Sequence, residues 1–209
     1  MVVELISVGT ELLLGNIVNT NAQFLAEKCA SLGLSMYHQV TVGDNRERLA
    51  EDISTALKRA DIIILTGGLG PTEDDITKEV CADVMGFKLV EDPHTRERIE
   101  AYFKDGIYPV ITDNNWKQAL VPEGCKVLDN HNGTAPGLIM EKDGKTAILL
   151  PGPFNELKSL FLDEVSPCLQ KLQPEVIRSQ MIKICGHGES QVEDQIKDLI
   201  AAQTNPTIA

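Results

Sequence analysis

A glycine-rich segment followed by acids is the part of this sequence best suited to chemistry. Residues 66–79 read TGGLGPTEDDITKE, in which three glycines precede the adjacent Asp74 and Asp75. Glycine lets the backbone approach a ligand closely, and a turn of this kind that opens a helix presents N–H groups to phosphate. Carboxylates repel phosphate, so their presence here favours a divalent cation that joins the acids to the phosphate.

Three other segments with glycines also follow predicted strands. They are GTELLLG (9–15), GDN (43–45) and PGPFNE (151–156). Ligands of open α/β sheets bind beyond the carboxyl ends of the strands, so we expect all four segments to converge at one edge of the sheet.

This convergence predicts a set of site residues. Asp44, Asp75 and Glu11 are the candidate catalytic residues, and Asp44, Asp74 and Asp75 are the candidate ligands of Mg²⁺, Co²⁺ or Mn²⁺. The N–H groups of residues 67–70 are expected to hold one phosphate. The candidate phosphate and nucleotide-binding residues are Thr10, Thr66, Gly67, Gly68, Gly70, Thr72, Lys78, Gly133, Thr134 and Gly152.

Helix capping is an alternative explanation for two of the acids. The spacings Thr72-x-x-Asp75 and Asp44-x-x-Glu47 both fit N-capping patterns, and a cap stabilises a helix by about 1 kcal/mol. The doubling of Asp74 with Asp75 favours metal binding, because one acid would be enough for a cap.

Other candidates also keep a second interpretation. The glycine-rich loop could form a turn and nothing more, and it lacks the GK[ST] ending of a Walker A loop. Glu11 could bind a metal or only nearby backbone N–H groups. Lys78 could pair with phosphate or lie on a solvated helix face. The segment 130–137 could wrap a ligand's sugar or base, or only lead into the hairpin.

The elements that must position these residues follow from the hydrophobic pattern. Apolar runs predict strands at 2–9, 34–42 and 61–66, and amphipathic periodicity predicts helices at 19–33 and 44–60. This β-α-β-α-β order predicts an α/β fold with a mostly parallel sheet. Further along, the pattern predicts helices near 93–104, 112–120 and 154–165, a hairpin at 137–152, and a strand, turn and helix after 177.

Composition limits the classes of function. The net charge of −12 disfavours nucleic acid and anionic membranes as partners. The five cysteines are widely spaced, a pattern typical of free thiols in a reducing compartment. The N-terminus lacks the basic region of a signal peptide, and no apolar run approaches the length of a membrane span. We therefore expect a cytoplasmic protein.

Several of these segments together resemble a known family. The motifs ELISVGTELLLGNIVNTNAQFLAEKCASLGL, TVGDNRERL, TGGLGPTEDDITKEV, NGTAPGL and LLPGP resemble the N-terminal domain of the CinA-like (competence/damage-inducible) family, over about residues 3–165. MIKICGHGESQVEDQI resembles the start of that family's KH-like domain. The resemblance implies a three-layer α/β/α molybdopterin-binding fold at 1–170, a linker at 171–176, and the start of a KH-like domain at 177–209.

The resemblance also implies a function. Metal-dependent ADP-ribose pyrophosphatase activity is reported for the family, so we expect a homodimer that hydrolyses the diphosphate of ADP-ribose to AMP and ribose 5-phosphate. In the wider fold the functional acids match Asp44 and Asp75. Two alternatives stay open: binding or adenylyl chemistry on molybdopterin or a pterin nucleotide, and a dimerisation scaffold for a nicotinamide-nucleotide deamidase domain that no segment here resembles.

Overall fold

The computed structural model describes residues 1–104, 110–172, 180–205 and 207–208. By their internal contacts, the residues divide into two units, Met1–Ile177 and Arg178–Ala209.

The larger unit is built on a six-stranded sheet with the order β2-β1-β3-β8-β7-β6. The strands β2, β1, β3 and β8 are parallel, and β7 and β6 continue the sheet in antiparallel pairings. A separate two-stranded sheet pairs β4 with β5. The strands are β1 (Val2–Val8), β2 (Ser35–Val42), β3 (Ile62–Thr66), β4 (Leu89–Glu91), β5 (Leu120–Pro122), β6 (Lys126–Leu128), β7 (Gly137–Lys142) and β8 (Lys145–Leu150).

Helices connect and cover the strands. They are α1 (Thr10–Leu13), α2 (Thr20–Ser31), α3 (Arg46–Arg59), α4 (Thr77–Met85), α5 (Pro93–Lys104), α6 (Phe154–Leu160), α7 (Ser166–Leu172) and α8 (Glu189–Ala202). A 3₁₀ helix spans Asp113–Ala119, and a π-helical turn, Phe161–Val165, joins α6 to α7. No described helix has both the length and the apolar character needed to cross a membrane.

Helices cover both faces of the six-stranded sheet, which confirms the predicted α/β fold. On one face, Leu49 and Ile53 of α3 and Cys81 of α4 pack in one cluster with sheet residues such as Leu65. On the other face, α2, α6 and α7 contribute to a second cluster. The central strand β3 is buried along its whole length, as expected for a parallel strand between two helical layers.

Most predicted elements form close to the expected residues. The first three strands, the helices α2, α3 and α5, and the hairpin of β7 and β8 are confirmed. The hairpin turns at Asp143 and Gly144, which both have positive φ, as a two-residue turn between twisted strands requires.

Two expectations need correction. The helix predicted near 112–120 is a 3₁₀ helix, closed at its start by reciprocal bonds between Thr112 and Asn115. No strand forms at residues 180–188, where only α8 follows as predicted. A lone strand leaves its backbone groups without partners, so apolar character alone does not produce one. Residues 173–179, which include most of the predicted linker, lie outside the described residues.

The chain reverses direction across the sheet between β1 and β3. From β1 the chain first crosses to β2 on one side, then returns past β1 to β3 on the other side. Open α/β sheets bind ligands at such a switch point, in the crevice at the carboxyl ends of the strands.

Candidate functional site

A cavity of about 780 Å³ lies at the carboxyl ends of the parallel strands. Most of its walls come from the segments after β1, β2, β3 and β8 and from the segment just before β7, and Tyr102 of α5 and Gln118 of the 3₁₀ helix also line it. The antiparallel β7 begins at the edge where β8 ends, so the segment before β7 joins the other four. The predicted site residues that line the cavity are Glu11, Asp44, Thr66, Gly67, Gly68, Gly70, Asp74, Asp75, Gly133, Thr134 and Gly152.

The glycine-rich loop lies tightly against its neighbours. Gly67 has a φ of 89°, and a Cβ placed there would lie 2.3 Å from the Val8 carbonyl oxygen. The Gly67 N–H donates to the carbonyl of Leu150 at 3.0 Å, so it is not free for a ligand. This corrects part of the predicted phosphate cradle. The N–H groups of residues 68–70 donate to no group among the described residues and stay available.

Asp44 is held in place by the chain after β1. Its Oδ2 accepts bonds from the Thr10 N–H at 2.9 Å and the Thr10 hydroxyl at 2.8 Å. The cap of α3 is Asn45, whose side chain accepts from the Arg48 N–H at 3.1 Å. The capping interpretation of Asp44 is therefore wrong, and Oδ1 of Asp44 is free of these bonds. Thr10 orients Asp44 and lies outside the cavity lining, although we predicted it as a ligand-binding residue.

Asp75 accepts hydrogen bonds from Thr72, within the same loop. Its Oδ2 accepts from the Thr72 N–H at 2.9 Å and from the Thr72 hydroxyl at 2.5 Å. Since α4 begins at Thr77, after Ile76, Asp75 does not cap that helix. The Thr72 hydroxyl also contacts Asp74, and this bond lowers the pKa of Asp74 below its ordinary value. Thr72 therefore serves the carboxylates and does not line the cavity.

Two lysines outside the cavity lining, Lys117 and Lys78, support the glycine-rich loop. Lys117 Nζ donates to the carbonyl oxygens of Thr72 and Asp75. Lys78 is only 6% exposed, and its Nζ donates to the Lys117 carbonyl at 2.6 Å. Burial lowers the pKa of Lys78. Both predicted roles of Lys78 need correction, because it is neither on a solvated face nor in the cavity lining.

Sequence reasoning missed several polar residues of the cavity wall, among them Asn21, Gln118 and Glu156. Asn21 donates to the Gly152 carbonyl at 2.7 Å and Gln118 donates to the Leu69 carbonyl at 3.2 Å. The amide oxygens of both have no partner among the described residues. Glu156 lies in the PGPFNE segment, and its position there was the available signal. Gln118 lies far from every glycine motif and had no comparable signal.

The cavity wall is strongly acidic. Five carboxylates line it, and the lining includes no Lys, Arg or His among the residues that the structure describes. The five are Glu11, Asp44, Asp74, Asp75 and Glu156. An anionic ligand could enter such a cavity only together with a cation, because the carboxylates would otherwise repel it.

The described residues do not form a preassembled metal cage. No group of three or more His, Cys, Asp or Glu side chains among them is placed to hold an ion. Mg²⁺ commonly binds through one or two carboxylates, several waters and the ligand's phosphates, so a closed protein cage is not required. Asp44 and Asp75 both line the cavity, and the hydrogen bonds described above reach only the Oδ2 atom of each.

Comparison with known proteins agrees with this geometry. Residues 4–171 match the family model described as "Probable molybdopterin binding domain", and residues 179–209 match the model of the "Damage-inducible protein CinA KH domain". A competence-damage inducible protein of Caldicellulosiruptor bescii is 56% identical over 209 residues, and one of Clostridium beijerinckii is 52% identical. The chain spans about half, 51%, of the length of each of these two relatives.

Solved structures point the same way. The crystal structure of CinA from Thermoplasma acidophilum matches with a TM-score of 0.75 and 32% identity, over 81% of this chain and 99% of that one. This chain belongs to the CinA family. MoaB from Thermus thermophilus, a molybdopterin biosynthesis enzyme, shares the fold with a TM-score of 0.52 and 15% identity, over 85% and 99% of the two chains.

These findings correct the predicted activity. The matched family model describes molybdopterin binding, and none of the relatives named above is called an ADP-ribose pyrophosphatase. The prediction of a metal-dependent hydrolase that cleaves ADP-ribose is therefore wrong. The findings favour the alternative of a molybdopterin-binding or CinA-type scaffold.

Proposed function

We propose that the Met1–Ile177 unit binds a phosphorylated pterin, such as molybdopterin or its adenylylated form, in the carboxyl-end cavity. The observation that carries this proposal is the cavity itself, which places free backbone N–H groups beside carboxylates at the switch point of the sheet. The family model matched by residues 4–171 supports the pterin as the ligand class.

The cavity has suitable groups for both parts of such a ligand. The N–H groups of residues 68–70 can donate to a phosphate at the end of β3. The rings of Tyr102 and Phe154 line the same cavity, and each is partly exposed. A flat heterocycle can stack on such rings.

A divalent cation completes the proposed site. Asp44 and Asp75 would hold Mg²⁺, Mn²⁺ or Co²⁺ together with the ligand's phosphate, and the ion would neutralise charge there. Thr10 and Thr72 orient the two carboxylates by hydrogen bonds. Lys117 fixes the backbone of the loop that carries Asp75.

We propose two further properties of the protein. We propose a homodimer, for which the exposed apolar side chains of Leu13, Leu14, Ile17 and Val18 provide a surface. We also propose a cytoplasmic location, because all five cysteines are free thiols.

Isothermal titration calorimetry can test the proposed ligand. We expect a phosphorylated pterin to bind in the presence of Mg²⁺ and to bind much more weakly when the metal is chelated. Asp75→Asn should weaken metal-dependent binding by about 10- to 100-fold, because a charged ligand group becomes neutral. Glu73→Gln is the matched control, since Glu73 is an exposed neighbour outside the cavity lining. Absence of binding to the unchanged protein, or equal binding by Asp75→Asn, would refute the proposal.

A further inference from the structure

The carboxylate of Glu156 is an acid of the cavity wall that the proposed phosphate and metal site leaves unused. It lies in the first turn of α6 and is half-buried. No Lys, Arg or His of the described residues forms an ion pair with it. Burial raises the pKa of Glu156, and a bond from Asn130 opposes this effect. Partial burial makes the ionised carboxylate less stable than a fully solvated one, and hydrogen bonds from a ligand would offset that cost.

The surrounding chain holds this carboxylate in one orientation. Asn130 is 1% exposed, and its Nδ2 donates to Glu156 Oε2 at 2.6 Å and to the Ala135 carbonyl at 2.8 Å. The Asn130 Oδ1 in turn accepts from the Asn132 N–H at 3.0 Å. All polar atoms of the Asn130 side chain are thus engaged, while Oε1 of Glu156 receives no hydrogen bond from the described residues.

Gly133 provides the space for the carboxylate. A Cβ at Gly133 would lie 2.3 Å from Glu156 Oε2 and 2.8 Å from Oε1. Any side chain at this position would therefore push Glu156 out of its place. The fixed amide of Asn130 and the absence of a side chain at Gly133 together keep the Glu156 carboxylate on the cavity wall.

Glu156 follows β8 in the chain and touches Gly133, which lies just before β7. The glycine-rich loop follows β3, and Gly133 precedes β7, two strands away in the sheet. Neighbouring strands are about 4.8 Å apart, so β3 and β7 lie roughly 10 Å apart in the sheet. That separation corresponds to a bicyclic ring with a short phosphorylated side chain.

We infer that Glu156 is a specificity-determining residue that accepts hydrogen bonds from the amino–imino edge of the ligand's ring, the adjacent NH₂ and ring N–H of a pterin or guanine. A carboxylate presents two acceptor oxygens in one plane, which matches two parallel donors. Phe154 lies two residues before Glu156 in the chain, and its partly exposed ring lines the same cavity. This inference rests on the proposed function, since it assigns the ring end of the same ligand.

The test compares ligands that differ only in the amino group. A phosphorylated pterin and its 2-oxo analogue, the corresponding lumazine, form one pair, and GMP and IMP form the other. With Mg²⁺ present, we expect the unchanged protein to prefer the amino member of at least one pair by about 10- to 100-fold, the discrimination typical of a bidentate pair of hydrogen bonds. The pair that shows the preference distinguishes a pterin from a guanine nucleotide.

Glu156→Gln should reduce this preference towards equal affinity, because an amide offers only one acceptor oxygen. Asp163→Asn makes the same chemical change on the exposed face of the adjoining helical turn and should leave the preference intact. Gly133→Ala, which displaces the carboxylate without removing it, should reduce the preference as Glu156→Gln does. Thermal unfolding of each variant is the control that checks whether the fold is retained.

The outcomes separate this inference from the proposed function. If the unchanged protein binds these ligands and Asp75→Asn weakens the binding, but Glu156→Gln keeps the full preference for the amino member, the inference about Glu156 is wrong and the proposed function stands. If the unchanged protein binds none of the four ligands, the proposed function fails and the role of Glu156 fails with it.

Discussion

Replacement of Gly67 by alanine tests how closely the glycine-rich loop approaches β1. The new Cβ would lie 2.3 Å from the Val8 carbonyl oxygen, well inside normal contact distance, and the obstacle is backbone that cannot rotate away. The φ of 89° adds strain for any residue with a Cβ. We expect Gly67→Ala to destabilise the fold and to widen the crevice between β1 and β3.

A second glycine of the same unit separates the two costs. Gly144, in the β7–β8 turn, has a φ of 73°, but a Cβ there would meet nothing within 4 Å. Gly144→Ala therefore measures the left-handed backbone alone, which costs about 1–2 kcal/mol. Overpacking adds about 1–3 kcal/mol, so Gly67→Ala should cost roughly 2–5 kcal/mol in total.

Urea unfolding followed by tryptophan fluorescence can measure this difference. The chain has a single tryptophan, Trp116, and the Arg96 guanidinium stacks on its ring at 4.0 Å. Both residues belong to the unit that contains the sheet, so the signal reports on the unfolding of that unit. If Gly67→Ala were no more destabilising than Gly144→Ala, the close approach of the loop to Val8, and with it the geometry of the crevice, would be refuted.

Two further predictions concern charged groups. Arg59→Ala should destabilise the protein in the same unfolding assay, because it leaves Glu4, which is 2% exposed and held by Arg59 at 2.6 and 2.7 Å, without its partner. Lys126→Ala removes an exposed ion pair and should cost less, under about 1 kcal/mol; equal effects of the two substitutions would contradict this reasoning. Burial raises the pKa of Glu156, so the folded chain binds this proton more tightly than the unfolded chain does. The contribution of Glu156 to stability therefore increases as the pH falls through the raised pKa towards the ordinary value. The contribution is lost as the pH rises through the raised pKa. The stability of the unchanged protein relative to Glu156→Gln should therefore improve between neutral and mildly acidic pH, and a flat or opposite trend would show that Glu156 is not desolvated.

The sequence was sufficient to predict the main elements and the edge of the sheet where the site lies. Buried strands and amphipathic helices have distinct hydrophobic periods, and these periods depend only on local geometry. The order of these elements then determines a parallel sheet, whose carboxyl ends gather the segments that follow them. This is why Asp44 and Asp75, which are far apart in the chain but line one cavity, could be assigned to the same edge of the sheet from their sequence positions alone.

The tertiary structure decided what each of these side chains contacts. Thr10 and Lys78 were predicted to bind a ligand, but one orients Asp44 and the other is buried behind the loop. Gln118 lines the cavity although no motif lies near it in the sequence. These outcomes depend on contacts between residues far apart in sequence, such as Gln118 with Leu69, and no local period reports them.

The residues around Glu156 show the same division most clearly. A glycine in NGTAPG and an acid in PGPFNE are visible in the sequence, but their contact requires β7 and β8 to pair and the chain on either side to fold back. Sequence determined which backbone elements form and in what order, because each residue's period and turn preference act locally. Only the packed chain decided which carboxylates are held, shielded or left free, because burial and hydrogen bonding depend on neighbours that the fold brings together.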